Sequence, residues 1–272
     1  MAGLWEGDGH IWIPQKSHAP SGKHYYPHFS ITFHEEDKPL IESLKEIIGG
    51  TIRYKKDNHA YVLTITSLFG LKLVISLLNG KLRTPKIRKF NSMINWINNY
   101  TESNYQKYLV NLTPLIDNGW LSGFIDADGS FDLRITQKSQ NYPKNSVSAR
   151  FRIEQRSYDP VTGDSYLDIF KQISNTLGVT VGSTFHNNDI KYLIISLSSL
   201  KSRKILIKYL DTFPLFTSKL MNYIDWKKCH NLMVNNLHLT EEGRNKAIYL
   251  KSGMNRKRNH FNWDHLNKLS SY

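Results

Sequence analysis

The chain has a single cysteine, Cys229, among 272 residues. That excludes an internal disulfide and any cysteine-rich zinc site, and it fits a reducing intracellular compartment. Long apolar runs are also missing. None approaches the roughly 20 residues needed to cross a bilayer, although hydrophobic residues make up 40% of the chain, enough for a packed core. A secretory leader is not expected either, because Glu6 and Asp8 stand where its apolar region would lie. Acidic residues are the last scarcity: 23 Asp and Glu face 36 Lys and Arg, a formal balance of +13. A surface of that sign takes a polyanion as its default partner. No helical stretch collects the basic residues opposite a strong apolar face, which disfavours a membrane surface in that role.

What is present is a repeat. Ala2-Gly3-Leu4-Trp5-Glu6-Gly7-Asp8-Gly9 returns 120 positions later in Leu121-Ser122-Gly123-Phe124-Ile125-Asp126-Ala127-Asp128-Gly129. Each copy has small residues at helical spacing, Gly3 with Gly7 and Gly123 with Ala127, and an acid just before a glycine. Glycine inside a helix costs about 1 kcal/mol relative to alanine. Close packing of the two helices along their small stripes offsets that cost. Asp8 and Asp128 then end helices whose free carbonyls already carry partial negative charge. Carboxylates beside such carbonyls, twice at one interface, make a hard oxygen site suited to Mg²⁺.

The flanks predict one order of elements twice. In the first half, strands over 10–16 and 24–34 precede a helix over 38–48, which stops at Gly49-Gly50. Strands over 51–55 and 60–66 and helices over 68–78 and 86–98 complete it. In the second half, strands over 130–138 and 148–155 lead to a helix over 165–177. Strands over 181–185 and 191–196 and helices over 199–210 and 218–234 follow. The expected fold is α+β: two pseudo-symmetric αββαββα halves, each a mixed or antiparallel saddle-shaped sheet backed by helices, joined through the motif helices. The expected divisions are 1–98, a polar linker over 99–119, 120–238, and a basic tail over 239–272 with a last helix from Asn262.

The strands alternate. Phe131, Leu133 and Ile135 share one face, and Ser130, Asp132, Arg134, Thr136 and Lys138 the other. Tyr25, Phe29, Ile31 and Phe33 oppose His24, Tyr26, His28, Ser30, Thr32 and His34 in the same way. The apolar faces pack on the helices. The polar, basic faces hold groups that can read base edges in a major groove.

Both repeated segments resemble the LAGLIDADG motif, and the chain is similar to the double-motif, monomeric LAGLIDADG homing endonucleases. The second copy departs at Ser122 and Phe124; the first carries Met1, Trp5, Glu6 and Gly7 in place of consensus residues but keeps the acid. The resemblance implies a site-specific endonuclease acting on double-stranded DNA. It would hydrolyse one phosphodiester per strand with Mg²⁺ and leave short 3′ overhangs at a long, asymmetric target. Metal binding falls on Asp8 and Asp128 with the carbonyls of Gly7 and Ala127, sites that Mn²⁺ or Ca²⁺ can also fill. Glu6 and Asp126 are left a structural role.

A polar residue at the end of the second strand falls on Gln155, and the same offset lands on Glu35, with His34 as the alternative that faces the site. Thr84-Pro85-Lys86 and Thr217-Ser218-Lys219 supply the family's basic residue, Lys86 and Lys219, to stabilise phosphate charge or orient water. The DNA-reading candidates are Arg134, Lys138, Arg150, Arg152, Lys16, His28, Arg53 and Lys55, with phosphate contacts dominating affinity. The alternative is an RNA maturase that assists splicing of its own intron; fold and charge would be the same, and retention of both acids favours the nuclease. Family habit places such genes in mitochondrial or chloroplast introns, and a Lys-, Asn- and Ile-rich composition fits an AT-rich genome. The motif begins at Met1 with no preceding turn of helix, which points to a product trimmed from a longer reading frame.

Overall fold

The computed structural model describes residues 1–138, 140, 144–186 and 189–271, with the backbone alone at 268, 270 and 271. The N-terminal half runs α1 (Ala2–Asp8), β1 (Gly9–Trp12), β2 (His28–His34), α2 (Lys38–Ile48), β3 (Thr51–Lys55), β4 (Ala60–Ile65), α3 (Leu68–Leu78) and α4 (Ile87–Thr101). The C-terminal half repeats it as α5 (Trp120–Asp128), β5 (Gly129–Thr136), β6 (Ser146–Arg156), α6 (Leu167–Leu177), β7 (Gly182–His186), β8 (Ile190–Leu197), α7 (Leu200–Thr212) and α8 (Lys219–Val234). A further helix, α9 (Glu241–Ser252), and a 3₁₀ turn over Asp264–Ser271 follow.

Local chemistry accounts for these elements. In α2, Leu40, Ile41, Leu44 and Ile48 bury one stripe, Pro39 sits in the first turn, and Gly49 ends the helix at φ 72°. Ser67 and Ser199 cap α3 and α7 by accepting the amides of Gly70 and Ser202. The sheets have the orders β1-β2-β4-β3 and β5-β6-β8-β7. Among the described residues every pairing is antiparallel, so of the two expected sheet types the antiparallel one forms. Phe29, Ile31 and Phe33 of β2, and Phe151 and Ile153 of β6, point into one continuous core with the helices.

Several boundaries differ from expectation. β1 stops at Trp12 and β2 starts at His28, because Pro14 and Pro27 have no N–H to donate to a ladder. Tyr25 is therefore exposed and off the apolar face, and His24 and Tyr26 lie outside the strand. Residues 102–114, within the expected linker over 99–119, are bonded to the first half. Asn98 exchanges two hydrogen bonds of 2.9 Å with Tyr105, and the Asn111 amide donates to Leu82 O at 2.7 Å. The tail holds α9, which buries Ala247 and Leu250. Thr240 at its N-cap with Glu241 and Glu242 in the first turn is a helix-start signal in the sequence.

Candidate active site between the motif helices

The small-residue stripes bring α1 and α5 into backbone contact. A Cβ added to Gly3 would collide with Trp120 O, and one on Gly123 would lie 2.8 Å from Leu4 N. A Cβ on Gly7 would collide with the Ala127 side chain and come within 3.2 Å of Asp128 Oδ2. The acid of one helix thus lies beside the glycine that precedes the acid of the other.

Asp8 is exposed and Asp128 half-buried. Loss of hydration, reinforced by the charge of Asp8, pushes the Asp128 carboxyl up to about 7 against the opposing effects of Lys219, Lys86 and Gln155. Although accessible, Asp8 loses enough of its water shell to be raised too; Lys219 and Lys86 oppose this and Asp37 adds to it. Gln155 Nε2 donates to Asp128 Oδ2 at 2.9 Å.

Each lysine sits on a motif-helix end. Lys86 Nζ donates to Gly7 O at 2.7 Å and Gly9 O at 2.9 Å. Lys219 Nζ donates to Ala127 O, and to Ile125 O at 3.4 Å. The carbonyls expected to help hold metal therefore carry ammonium groups here, the cation that a helix C-terminus favours.

The acids two positions earlier place those lysines. Buried Glu6 accepts from the amides of Arg83 and Thr84, from Thr84 Oγ1 at 2.6 Å and from Trp120 Nε1 at 2.6 Å. Buried Asp126 accepts from Phe216 N at 2.9 Å, Thr217 N at 3.1 Å and Thr217 Oγ1 at 2.5 Å. Both anchor the segment that leads into a lysine-bearing helix. Burial raises both carboxyls, that of Asp126 to about 6.

Glu35 is not brought to the pair. It accepts from Tyr54 OH at 2.6 Å and lies 3.3 Å from His59 Nδ1. His34 is exposed, with Nδ1 3.5 Å from the Glu36 amide. Strand register explains this placement. Gly9 pairs with Ile31 and Gly129 with Ile153, so the segment between them is two residues longer in the second half. Gln155 then corresponds to Phe33, 3% exposed in the core, and Asp159 to Asp37. Asp37 and Asp159 are both buried acids beside the site that sequence reading missed. A cavity of about 280 Å³ joins the halves here, with Gly7 and Lys86 on one side and Gln155, Asp159 and Tyr166 on the other.

Among the described residues no three His, Cys, Asp or Glu converge as a metal cage. Two raised carboxylates beside helix-end carbonyls, Asp8 adding to the rise of Asp128, still fit Mg²⁺, which takes one or two carboxylates and completes its shell with water and substrate phosphate oxygens.

The basic candidates divide. Arg150 pairs with Asp132, at 3.0 Å through Nε, and Arg152 Nη1 pairs with Glu154 at 2.9 Å. Arg134, Arg53 and Lys55 are exposed and make no ion pair among the described residues. His28 lies 4.8 Å from the Trp12 ring. Lys16 and Lys138 lie past the ends of β1 and β5.

The LAGLIDADG endonuclease family model matches residues 1–97 and 121–230. The intron-encoded DNA endonuclease aI3 of Saccharomyces cerevisiae is 28% identical over 98% of this chain and 71% of its own length. An "uncharacterized cox1 intron-2 37.2 kDa protein" of Schizosaccharomyces pombe is 31% identical over 89% of this chain and 68% of its own length. The fold is that of the I-LtrWI LAGLIDADG homing endonuclease bound to target DNA, with TM-score 0.72 and 19% identity over 94% of this chain and 97% of that one. I-SmaMI bound to uncleaved DNA target with calcium ions gives a TM-score of 0.67 at 21% identity, covering 93% of this chain and 97% of that one. Matched in both halves and carrying an acid at the end of each motif helix, the chain belongs to the LAGLIDADG endonuclease family.

Proposed function

We propose that this chain is a monomeric, site-specific endonuclease that cuts both strands of a long, asymmetric DNA target with Mg²⁺ and leaves short 3′ overhangs. The observation that carries the reading is the pairing of Asp8 with Asp128 at abutting helix ends, each end bearing a lysine. Mg²⁺ bound there would supply charge stabilisation to the attacking and leaving oxygens of an in-line displacement. Lys86 and Lys219 hold positive charge where the phosphate gains negative charge. Gln155 orients the Asp128 carboxylate. The exposed cations of the two sheets take the phosphate backbone and base edges, and binding falls steeply with salt.

Relatives support this reading: one is named a DNA endonuclease, and solved structures of the fold are bound to DNA, one with calcium ions. Relatives named for cox1 and ND4 introns support a mitochondrial intron as the setting of this gene. An intron-encoded RNA maturase, bI4, is 26% identical over 54% of this chain, so intron RNA is the second candidate partner.

Purified protein incubated with a randomised DNA library and Mg²⁺ should enrich one family of cut sites. Asp8→Asn and Asp128→Asn should each lower double-strand cleavage by on the order of 10²–10³-fold, the size of losing one preorganised transition-state contact, while retaining DNA binding. Absence of any cut site, or full cleavage by Asp128→Asn, would sink the reading.

A further inference from the structure

The two lysines are supported unequally. Lys86 follows Pro85, whereas Lys219 follows Ser218. Ser218 is 8% exposed at the start of α8 and has an amide that needs an acceptor. That acceptor comes from the other half. Asp37 Oδ1, in a residue 7% exposed, takes the Ser218 N–H at 2.7 Å across 181 positions of sequence.

Its register counterpart behaves differently. Pro85 has no N–H to offer, and Asp159 turns back on its own loop. Asp159 Oδ1 accepts from Val161 N at 2.9 Å and Thr162 N at 2.8 Å, and Oδ2 accepts from Tyr166 OH at 3.4 Å. Lys219 is therefore held from two sides, by Asp126 through Phe216 and Thr217, and by Asp37 through Ser218. Asp37 also acts electrostatically on the Lys219 ammonium and on Asp8. A group serving only to satisfy a buried amide could be neutral; this one is a carboxyl group within electrostatic range of the Lys219 ammonium.

We propose that Asp37 is a positioning residue for cleavage: a carboxylate of the N-terminal half that sets the Lys219 ammonium of the C-terminal half, and so governs the cutting of one strand. The proposal rests on the nuclease reading, with each lysine serving one strand. Its consequence is a half-site whose lysine-bearing turn is bonded directly by a carboxylate of the other half, beside one whose contacts with the other half reach Glu6 and Arg88 instead.

The test is single-turnover cleavage of a target duplex labelled separately on each strand, with Mg²⁺, in wild type, Asp37→Ala, Asp37→Asn and Lys219→Met. Asp37→Ala should slow one strand about tenfold, the scale of losing a group that orients a reacting one. The other strand and the DNA dissociation constant should stay within about twofold. The slowed strand should be the one that suffers more in Lys219→Met. Asp37→Asn keeps an acceptor for the Ser218 amide but no charge, and should show the same bias at smaller size. It decides the matter if Asp37→Ala does not fold. Equal slowing of both strands, no slowing, bias toward the opposite strand, or a parallel loss of DNA binding would overturn the proposal. Wild-type protein that cuts neither strand would overturn the nuclease reading, and this proposal with it.

Discussion

The two half-sites share a plan and differ in how it is held. In both, an acid inside the motif helix anchors the segment before a lysine, and that lysine caps a motif-helix end: Glu6 with Lys86, Asp126 with Lys219. Around that plan the halves diverge. Gln155 bonds Asp128, while its counterpart Phe33 is core. Asp37 reaches across to α8, while Asp159 closes its own turn. Duplication thus preserved what the backbone of the motif helices imposes and released what loops of unequal length supply. A pseudo-symmetric pair of this kind has two half-sites that can be tuned, or broken, one at a time.

The largest expected effects attack the shared plan. Lys86→Met and Lys219→Met should each cost on the order of 10²-fold in single-turnover cleavage, each mainly on a different strand of an end-labelled duplex. Loss on the same strand for both would break the proposed division of labour.

Packing at the helix crossing comes next. Gly3→Ala drives a methyl into the Trp120 carbonyl, a backbone atom that cannot move aside, whereas Gly123→Ala meets Leu4 N at 2.8 Å. Overpacking of this kind costs roughly 1–3 kcal/mol, with Gly3→Ala the larger. Denaturant unfolding followed by tryptophan fluorescence measures both, and equal costs would show that the helices slide to share the strain.

Gln155 and Phe33 test the polar difference. Gln155→Leu should slow one strand about tenfold by freeing the Asp128 carboxylate. Phe33→Gln should add no activity and should destabilise the fold by about 2 kcal/mol through a buried, unpaired amide. A gain in cleavage by Phe33→Gln would show that the buried position can serve the site after all.

The smallest expected effect is a pH dependence. Burial raises Asp128 to about 7 and Asp126 to about 6 in the folded chain. A carboxyl raised on folding stabilises the protein while protonated and loses that contribution as pH rises through its folded value. The groups facing Asp128 are Asp8, Lys219, Lys86 and Gln155. Metal-free protein should therefore melt at lower temperature at about pH 8 than at about pH 6. Asp128→Asn should flatten that dependence, and Mg²⁺ should raise the melting temperature more at the higher pH. A wild-type slope unchanged in Asp128→Asn would assign the effect to other groups.

Much of this was legible in the chain itself. The motif acids, the small stripes and the Thr-x-Lys segments are local patterns, and local patterns carry the helix ends and the lysines that cap them. The bounds of β3 and α3 also followed from periodicity and capping. The constant offset that leads to Glu35 does not hold across strands, because one half has two more residues between its paired strands. Tyr25 leaves the apolar face because the alternation in the sequence runs through Pro27, where the ladder cannot continue. The helix at Glu241–Ser252 lies in a segment whose net charge masks a helix start that Thr240 and the acids after it mark. Asp37 carried no local signal, since its partner lies 181 residues away.

Sequence alone determined the family, the repeated element order, the two carboxylates and the basic surface. Each of these depends on residue type and short-range spacing, which the chain carries without folding. Tertiary structure decided which polar groups meet the carboxylates, which lysine-bearing turn is bonded directly from the other half, and which cations stand free on the sheets. Those depend on strand register and on how two diverged halves dock. A register shift of two residues, or one proline in place of a serine, changes the partner without leaving a pattern in the sequence around it.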